Sequence, residues 1–379
     1  MSEKNKSTNK HKVPKILFCA VDLCRITGGI TVLSRLIFRS LVDMHRRGEI
    51  NLQVQVLNES GPAPNDELIQ DFKEISIRWC SESRVRFTMG ILTSKPDLII
   101  FDHAGPSKSA KMLPPFVRPS YCVFIHGVEI DEQARPDYTK ALEGATLLIA
   151  NSNYTKSRVH KLGTNLPKIE VCRPGLDYNE KKTDGNIDTP LLSNIGSHAI
   201  LIVGRMDASQ CHKGHDYLIE CMPEIIDQVP DAQLIIVGDG DDMDRLKQKA
   251  DTVRVKNSIF FTGRVSNDVL HALYEKCAVF VMPSKGDGFG FVYLEAMSHK
   301  KPCIGLLNSA AAEIIEHGAT GLLVDRNKKR VMAASIASLL KDTPLREKMG
   351  KAGFQRLRTI FLYEHFNRRL NATLGEVLL

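Results

Sequence analysis

The chain has 379 residues, of which 43% are hydrophobic and 25% are charged, and its net charge is +7. This chain is longer than a single hydrophobic core usually supports, so we expect two domains. The composition is that of a soluble globular protein, and no apolar run approaches the roughly 18 to 20 residues that span a bilayer.

The positive charge is concentrated at the N-terminus. Residues 1–15 contain five lysines and one glutamate and hold +4 of the net charge, so the remaining chain carries only +3. A nearly balanced body argues against a nucleic-acid binder with a basic face. We interpret residues 1–14 as a disordered basic tail, with loose contact to an anionic membrane as the alternative.

The cysteines and the N-terminal residues indicate in which cellular compartment the protein is expected. The nine cysteines are scattered, odd in number and never in C-x-x-C spacing, which fits a reduced protein better than a disulfide framework. No apolar core precedes the first strand, so a secretory signal is not expected. The expected location is the cytoplasm, with the inner face of the membrane as a peripheral alternative.

Short apolar runs alternate with longer amphipathic stretches along the whole chain. Many of these runs are nearly continuous in Val, Ile and Leu, which is typical of parallel strands buried on both faces. The predicted strands are 15–20, 52–57, 76–80, 97–102, 121–126, 146–151 and 169–173 in the first half, and 199–204, 232–238, 258–262, 278–282, 302–305 and 321–324 in the second.

This alternation predicts an α/β protein with two doubly wound, Rossmann-like parallel-sheet domains that face a cleft. Residues 178–197 are polar, contain Gly and Pro, and lack sustained periodicity. We therefore expect a first domain over 15–182, a linker over 183–197 and a second domain over 198–352. A C-terminal helix over 353–379 is expected to end the chain.

An acidic, glycine-rich loop is the strongest functional signal. Asp287 lies in the predicted loop after the strand 278–282, and Glu295 lies about one and a half turns inside the helix that follows. Backbone N–H groups at a helix start attract phosphate, and Gly288 and Gly290 allow a ligand to approach the main chain. Carboxylates accept hydrogen bonds from sugar hydroxyls, so this loop suits a nucleotide-sugar. An ordinary strand-to-helix turn with two solvated acids is the alternative.

A second loop, after the strand 199–204, offers two cations. Arg205 and Lys213 are placed to hold a diphosphate and to stabilise the charge that grows as it leaves. A pair of ordinary surface cations is the other interpretation. The neighbouring Cys211, His212 and His215 match no common zinc spacing, so no metal site is expected there.

Two loops of the first half are weaker candidates. Gly28 and Gly29 open a predicted helix and let backbone N–H groups face a ligand. His126 follows the strand 121–126 in a His-Gly-Val-Glu run, where it is placed to touch a ligand in the cleft, although a lone histidine is more often structural. Arg35, Arg39 and Arg46 form a stripe that is usually only a wet helix face, with docking on anionic lipid as the alternative.

Five motifs of the second half occur in an order that resembles the retaining glycosyltransferases of the GT-B fold, glycosyltransferase family 4. In the first half the resemblance is looser. The motifs are Gly204-Arg205 with Lys213-Gly214, Val237-Gly238-Asp239-Gly240, Phe261-Thr262-Gly263-Arg264-Val265, the run from Asp287 to Glu295, and Gly321-Leu322-Leu323-Val324. The family's Glu-x7-Glu signature reads Asp-x7-Glu here, because Asp287 takes the first position.

The resemblance implies roles for these residues. Asp287 would face the donor sugar, Glu295 would hold the ribose hydroxyls, Arg205 and Lys213 would grip the diphosphate, and His126 would approach the sugar. The implied donor-binding set further contains Gly28, Gly29, Gly204, Arg264, Val265, Gly288, Phe289, Gly290, Phe291 and Val292. The final helix of such enzymes commonly crosses back to the first domain.

The site residues together with this resemblance imply a metal-independent retaining hexosyltransferase that needs no cofactor. Its donor would be a UDP- or GDP-sugar, and its acceptor a hydroxyl on a sugar, a lipid-linked molecule or another compound, in polysaccharide, glycolipid or glycoconjugate synthesis. A nucleotide-sugar epimerase of the same fold is one alternative. A non-catalytic protein that binds sugar nucleotides or a membrane surface is the other.

Overall fold

The computed structural model describes residues 12–25, 28–62, 71–127, 136–163, 165–178, 190–253 and 255–378. These residues form two parallel sheets covered by helices, and each sheet is built from consecutive strands of one half of the chain. The arrangement confirms the predicted α/β class with two Rossmann-like domains.

The first sheet has seven strands in the order β3-β2-β1-β4-β5-β6-β7, and every pairing is parallel. The strands are β1 Lys15–Ala20, β2 Asn51–Val56, β3 Ile77–Trp79, β4 Leu98–Phe101, β5 Ser120–Ile125, β6 Leu147–Ala150 and β7 Ile169–Val171. The helices between them are α1 Gly29–Arg46, α2 Arg84–Ser94, α3 Ala104–Lys111, α4 Pro136–Glu143 and α5 Asn153–Val159, with short 3-10 turns at Pro115–Val117 and His160–Leu162.

The second sheet has six parallel strands in the order β10-β9-β8-β11-β12-β13. The strands are β8 Ala199–Val203, β9 Gln233–Val237, β10 Ile259–Gly263, β11 Val279–Val281, β12 Cys303–Leu306 and β13 Gly321–Val324. The helices are α6 Pro190–Ser193, α7 His215–Gln228, α8 Met243–Thr252, α9 Asn267–Lys276, α10 Phe291–Ser298, α11 Ala311–Ile314, α12 Lys329–Lys341, α13 Thr343–Ile360 and α14 Tyr363–Leu378, with 3-10 turns at Ala208–Lys213 and Lys256–Ser258.

The central strands of both sheets are buried on both faces, as their apolar runs predict. Every residue of β4, β6 and β11 is buried, and so is every residue of β12. In each sheet the strand order reverses beside the first strand of the domain, β1 or β8. Loops that follow β1, β4, β8 and β11 therefore lie at a switch point, where α/β sheets usually bind ligands.

The end of the chain returns to the first sheet. The α14 residue Asn367 accepts a 2.6 Å hydrogen bond from Ser40 of α1, and Tyr363 donates a 2.8 Å bond to Asp43. Leu370 and Leu374 of the same helix are buried. Helix α14 is thus held against α1, although it follows the second sheet in the chain.

The helix before it begins earlier than the predicted boundary at residue 353. Helix α13 starts at Thr343, where Asp342 accepts a hydrogen bond from the backbone N–H of Leu345 and Pro344 stands in the first turn. A capping acid followed by Pro is a helix-start signal, so Gly353 lies inside the helix.

Parts of the predicted tail and of the predicted linker lie outside the residues that the structure describes. Residues 1–11 of the basic tail and residues 179–189 of the linker lie outside the described part of the chain, whereas 190–193 form α6. Among the described residues, no helix is long and apolar enough to cross a membrane.

Candidate active site

The two loops that carry the predicted cations and carboxylates are in contact. Lys213 Nζ lies 2.6 Å from Asp287 Oδ1, and the backbone N–H of Lys285 donates to the carbonyl of His212 at 3.0 Å. The two side chains of the ion pair are only 16% and 21% exposed. Both loops follow neighbouring strands, β8 and β11, so the parallel sheet brings them to one edge.

The charge of Lys213 keeps Asp287 ionised. Burial alone would raise the pKa of this carboxyl, but the neighbouring ammonium and its hydrogen bond outweigh burial and lower the pKa below its ordinary value. The Lys213 ammonium is therefore bound to a carboxylate of the facing loop. An incoming phosphate would compete with that carboxylate for the same ammonium.

Arg205 follows β8, and its side chain is more exposed than that of Lys213. Its side chain is 52% exposed, and its guanidinium is 3.5 Å from Asp207 of its own loop. Its neighbour Gly204 lies against the Lys213 side chain, because a Cβ on Gly204 would stand 3.2 Å from Lys213 Cδ. The structure therefore places Arg205 on the same loop end as Lys213, without a direct contact to Asp287.

His215 is a site residue whose environment the sequence did not reveal. It begins α7 directly after Gly214 and is 4% exposed, and its Nε2 has no hydrogen-bond partner among the described residues. Burial, followed by the charge of Lys213, lowers the pKa of His215 to about 4. A neutral imidazole with an uncommitted nitrogen thus lies beside the cationic loop.

Glu295 lies in α10, as predicted, and is held by a tyrosine. Tyr274 of α9 donates its hydroxyl to Glu295 Oε2 at 2.8 Å, and its ring stacks on His299 with centroids 5.4 Å apart. Burial raises the pKa of Glu295, whereas the bond from Tyr274 opposes that rise. The contact was missed because 21 residues separate the two partners and no periodic pattern connects them.

His126 lies at the end of β5 in the first domain, as predicted, and is 5% exposed. Its ring donates from Nε2 to the carbonyl of Asp102 at 2.6 Å and stacks on His103 with centroids 5.8 Å apart. The Asp102 carboxylate accepts from Ser34 at 2.6 Å, and burial raises its pKa to about 6. The imidazole is therefore fixed by the first domain's own backbone.

The two domains touch at a glycine. A Cβ on Gly288 would overlap the carbonyl oxygen of His126, so no larger residue fits there in this arrangement. The Gly288 carbonyl accepts hydrogen bonds from Ser152 at 2.5 Å and from Thr155 at 3.3 Å. This contact brings His126 of the first domain to the residue that follows Asp287.

A half-buried carboxylate joins the domains a second time. Glu313, 14% exposed, accepts from the backbone N–H of Tyr154 at 2.8 Å and pairs with Arg173 at 2.9 Å. The Tyr154 hydroxyl also donates to the carbonyl of Lys285 at 2.7 Å. These partners are more than 130 residues apart in the chain, so no sequence pattern indicates their contacts.

The remaining predicted donor-binding residues divide into two groups. Phe289 and Phe291 are buried, and the Phe291 ring lies against Gly29, where a Cβ would stand 3.3 Å from it. Gly290 precedes α10 with a φ of 106°, a left-handed conformation that favours glycine.

The second group lies nearer the surface. Arg264 is exposed, while Val265 and Val292 are half-buried and Gly28 is exposed at the start of α1. Val128 and Glu129, which follow His126, lie outside the described residues. Within the described part of the chain, no three His, Cys, Asp or Glu side chains are grouped to hold a metal ion.

Comparison with known proteins identifies the second half. Residues 187–356 match the family model described as glycosyl transferases group 1. Residues 187–356 are a glycosyl transferases group 1 domain. This domain contains the Lys213–Asp287 pair, Glu295 and His215, and so holds most of the candidate site.

Curated relatives agree with the group 1 assignment. A GDP-mannose-dependent alpha-(1-6)-phosphatidylinositol monomannoside mannosyltransferase of Mycobacterium tuberculosis strain H37Rv is 29% identical over 241 residues, which is 60% of this chain and 62% of that protein. An uncharacterized glycosyltransferase of Methanocaldococcus jannaschii is 35% identical over 209 residues, 55% of this chain and 51% of that protein. The matches thus span half to three-fifths of these relatives.

Solved structures similar to this chain extend the likeness to both domains. HepE of Anabaena in complex with UDP superposes with a TM-score of 0.75 at 19% identity, covering 96% of this chain and 100% of that one. Sucrose-phosphate synthase of Thermosynechococcus elongatus gives 0.76 at 18% identity, with 96% and 99% covered. The group 1 domain and the domain before it therefore form a GT-B fold.

Proposed function

We propose that this protein is a retaining glycosyltransferase that moves a hexosyl group from a nucleotide-diphosphate sugar to a hydroxyl acceptor. The observation that carries the proposal is the meeting of Lys213 and Asp287 at the switch point, directly before the N-terminus of α10. In this proposal the Lys213 ammonium would bind the diphosphate and the Asp287 carboxylate would accept from sugar hydroxyls, and the two groups lie within hydrogen-bond distance of each other.

The donor would lie along the edge formed by β8 and β11. Its diphosphate would take Lys213 from Asp287 and meet the backbone N–H groups at the start of α10, with Arg205 closing from the exposed side. Its ribose would reach Glu295, whose carboxylate is already oriented by the hydrogen bond from Tyr274. Backbone groups near Arg264 and Val265, after β10, would border the base.

The transfer step needs little from the protein beyond charge and position. The acceptor oxygen forms a bond to the anomeric carbon while the bond from that carbon to the diphosphate oxygen breaks on the same face. The acceptor proton passes to the departing phosphate oxygen, so no separate general-base carboxylate is required. Lys213, Arg205 and the start of α10 stabilise the growing phosphate charge, and we expect no metal to be needed for it.

The contact between the domains would serve the same step. The backbone carbonyl of His126 lies against Gly288, so the sugar would lie close to the point where the two domains meet. Closure excludes water, which limits wasteful hydrolysis of the donor. We expect His126 to hydrogen-bond a hydroxyl of the transferred sugar.

The relatives suggest two donors to test. The mycobacterial relative is named for GDP-mannose, and HepE was solved with UDP and with UDP-glucose. A thermal-shift screen of UDP- and GDP-sugars would select the donor, because a bound ligand raises apparent stability. Incubation with the selected donor, radiolabelled in the sugar, then tests the reaction class.

Each outcome of that incubation separates the hypotheses. Transfer to an acceptor, or slow hydrolysis with the product's anomeric configuration retained, supports the proposal. Conversion of one nucleotide-sugar into another would identify an epimerase instead, and binding without any turnover would identify a non-catalytic protein. A repeat with a chelator present tests the expected metal independence, and loss of activity there would contradict it.

A further inference from the structure

A buried carboxylate lies at the switch point of the first sheet, apart from the donor-binding groups proposed above. Asp102 directly follows β4, the strand that pairs with β1, and it is 0% exposed. Both of its carboxylate oxygens accept from the backbone N–H of Val21 at 3.1 Å, and Oδ2 also accepts from the Ser34 hydroxyl at 2.6 Å. The carboxylate therefore ties the end of β4 to the loop after β1 and to α1.

The backbone of the same residue holds a histidine. The Asp102 carbonyl oxygen lies 2.6 Å from His126 Nε2. A carbonyl oxygen can only accept, so this bond requires a proton on Nε2, and in the neutral ring Nδ1 is then the accepting nitrogen. The Asp102 peptide thus sets both the position of the imidazole and which of its nitrogens donates.

The first route from Asp102 to the second domain runs through His126. The His126 carbonyl oxygen lies against Gly288, where an added Cβ would overlap it. Gly288 directly follows Asp287, whose carboxylate we propose as the acceptor for sugar hydroxyls. A displacement of the Asp102 peptide would therefore move His126 relative to the loop proposed to bind the sugar.

The second route runs through α1. Ser34, whose hydroxyl binds Asp102, lies in the second turn of this helix, and the helix begins at Gly29. A Cβ on Gly29 would stand 3.3 Å from the ring of Phe291, the first residue of α10. The start of α1 thus lies against the start of the helix whose backbone N–H groups we propose for the diphosphate.

The charge of Asp102 is unfavourable for folding. Its hydrogen bonds come from an N–H and a hydroxyl, neither of which is charged, and burial raises the pKa of the carboxyl to about 6. Because this pKa lies above the ordinary value of 3.8, the stabilising contribution of the group is complete at low pH and is lost as the pH rises through 6. An ionised Asp102 therefore lowers stability at neutral pH, and carboxyl groups of this kind cluster at functional sites.

We propose that Asp102 is a positioning residue for the transfer step. Its ionised carboxylate holds the loop after β1 and the helix α1, while its carbonyl orients His126. Both contacts with the segment from Asp287 to Phe291 then keep the geometry that transfer needs. Asp102 acts through these neighbours and contacts neither the donor nor the acceptor. This inference rests on the proposed function, to which it adds a residue outside the donor site.

Loss of the charge would disturb this arrangement. An amide or a protonated carboxyl keeps one accepting oxygen and places a donor where the second oxygen was, 3.1 Å from the nitrogen of Val21. Two donors cannot share a hydrogen bond, so the loop after β1 would move away from Asp102. The start of α1, which this loop leads into, would move with it.

Other titratable groups surround Asp102. Besides burial and the bonds already described, the charge of His103 lowers the pKa of Asp102 and the charge of Asp22 raises it. Cys19 of β1 stays a neutral thiol, because burial raises its pKa well above the ordinary value. His126 faces Asp102 from β5. All four residues remain in a variant of Asp102, so a difference between that variant and the original chain reports on Asp102 itself.

Steady-state kinetics on Asp102→Asn test the proposal, with Asp97→Asn as the matched control. Asp97 lies at the opposite end of β4 and accepts from the backbone N–H of Lys15 at 2.8 Å. We expect kcat of Asp102→Asn to fall on the order of 10- to 100-fold, since misplaced reacting groups have that effect. The Kd of UDP or GDP, measured by calorimetry, should not change, because the proposed nucleotide contacts lie in the second domain. Asp97→Asn should keep both values.

The two variants should differ in stability in the opposite sense. The bond from the Lys15 N–H lowers the pKa of Asp97, so its charge favours folding and Asp97→Asn should melt at a lower temperature. Asp102→Asn removes a charge that burial disfavours, so its melting temperature at neutral pH should not fall. A lower kcat without lower stability separates positioning from a merely structural role.

The pH profile of kcat at saturating donor is the next readout. In the original chain kcat should fall as the pH is lowered through about 6, because the Asp102 carboxylate becomes protonated. In Asp102→Asn this fall should be absent, with kcat already at its reduced level. Parallel pH profiles in the two proteins, or full kcat in Asp102→Asn at neutral pH, would overturn the proposal.

Hydrogen exchange measures the positioning without turnover. Backbone amides of residues 21–25 and 286–291 should exchange faster in Asp102→Asn than in the original chain, whereas Asp97→Asn should leave both segments unchanged. Unchanged exchange in Asp102→Asn, with an original chain that transfers sugar, would overturn this inference alone. Absence of turnover in the original chain would overturn the proposed function and, with it, the role of Asp102 in transfer.

Discussion

Lys213 Nζ lies 2.6 Å from Asp287 Oδ1, so a carboxylate occupies the cation that we propose for the donor diphosphate. Binding of the donor would exchange one anionic partner of Lys213 for another. The freed Asp287 carboxylate would then be available to sugar hydroxyls. In the proposed function, the pair would thus link binding of the donor diphosphate to binding of the donor sugar.

The substitution Asp287→Asn separates those halves. It removes the competing charge beside Lys213, so free UDP or GDP should bind about tenfold more tightly. Turnover of the nucleotide-sugar should fall, because the strongest acceptor for the sugar hydroxyls is lost. Calorimetry with the nucleotide and steady-state kinetics with the donor measure the two effects. Weaker nucleotide binding in this variant would contradict the exchange.

The substitution Lys213→Ala should lower kcat by about 100- to 1,000-fold, as loss of one transition-state donor commonly does. Lys351→Ala is a matched control, because Lys351 is 74% exposed and pairs only with Glu347 of its own helix among the described residues. Steady-state kinetics on both variants, with circular dichroism to verify folding, provide the measurement. Full activity in Lys213→Ala would remove this residue from the mechanism.

The hydroxyl of Tyr274 should set the pH range of donor binding. Its hydrogen bond counters the burial that raises the pKa of Glu295, so Tyr274→Phe should raise that pKa further. The carboxylate then becomes protonated at a higher pH, and donor affinity should fall at a higher pH than in the original chain. Titration of donor Kd against pH measures the shift.

Two variants frame that experiment. Tyr217→Phe is its control, because the buried Tyr217 hydroxyl has no hydrogen-bond partner among the described residues. Glu295→Gln should weaken donor binding at every pH, and the loss of donor affinity at low pH should disappear in this variant. An unchanged donor Kd in Glu295→Gln would argue against a ribose contact.

Gly288→Ala should disturb the approach of the two domains. The new Cβ would overlap the His126 carbonyl, so the domains must separate slightly or shift. We expect kcat to fall by about 100-fold, since misplacement of reacting groups by roughly 1 Å has that effect. Gly375→Ala is the control, because that glycine has open space around it in α14. Small-angle scattering should report a larger radius of gyration for Gly288→Ala alone, and unchanged kinetics would exclude a role for this contact.

His215 should make stability depend on pH between about 6.5 and 4. Its pKa in the folded protein is lowered from 6.5 to about 4, so the folded state binds a proton less readily than the unfolded state does. Its stabilising contribution is therefore complete above pH 6.5 and is lost as the pH falls towards 4. The loss amounts to about 3 kcal/mol for this shift.

The substitution His215→Gln should remove that part of the pH dependence. Urea unfolding at several pH values measures it, and the variant should lose about 3 kcal/mol less than the original chain between pH 6.5 and 4. The pKa of His299 is also lowered to about 4, but His299 is present in both proteins and cancels in the difference. Parallel curves for the two proteins would contradict a buried, neutral His215.

The sequence predicted the sheets well because their strands are buried on both faces. The run Leu98–Phe101, for example, is continuous in apolar residues and matches its strand to within one or two residues. The meeting of the Lys213 and Asp287 loops was also predictable, since the carboxyl ends of parallel strands share an edge. The helix start at Thr343 was missed although Asp342 and Pro344 signal it.

Contacts between distant polar residues were not predictable in the same way. The bonds from Tyr274 to Glu295, from Ser152 to Gly288 and from Tyr154 to Glu313 join single residues that are 21 to 159 positions apart. A hydrogen bond between two residues leaves no period in a sequence, unlike a buried helix face. The exposed apolar side chains of α2 were not predictable for a related reason, because Val85 and Met89 look like core residues until their helix is placed.

The return of α14 to α1 makes the first domain discontinuous in sequence. A fragment that ends at residue 178 would leave the partners of Leu370 and Leu374 uncovered, together with Ser40 and Asp43. Division of the chain for domain-by-domain study therefore calls for circular permutation or co-expression of the last helix.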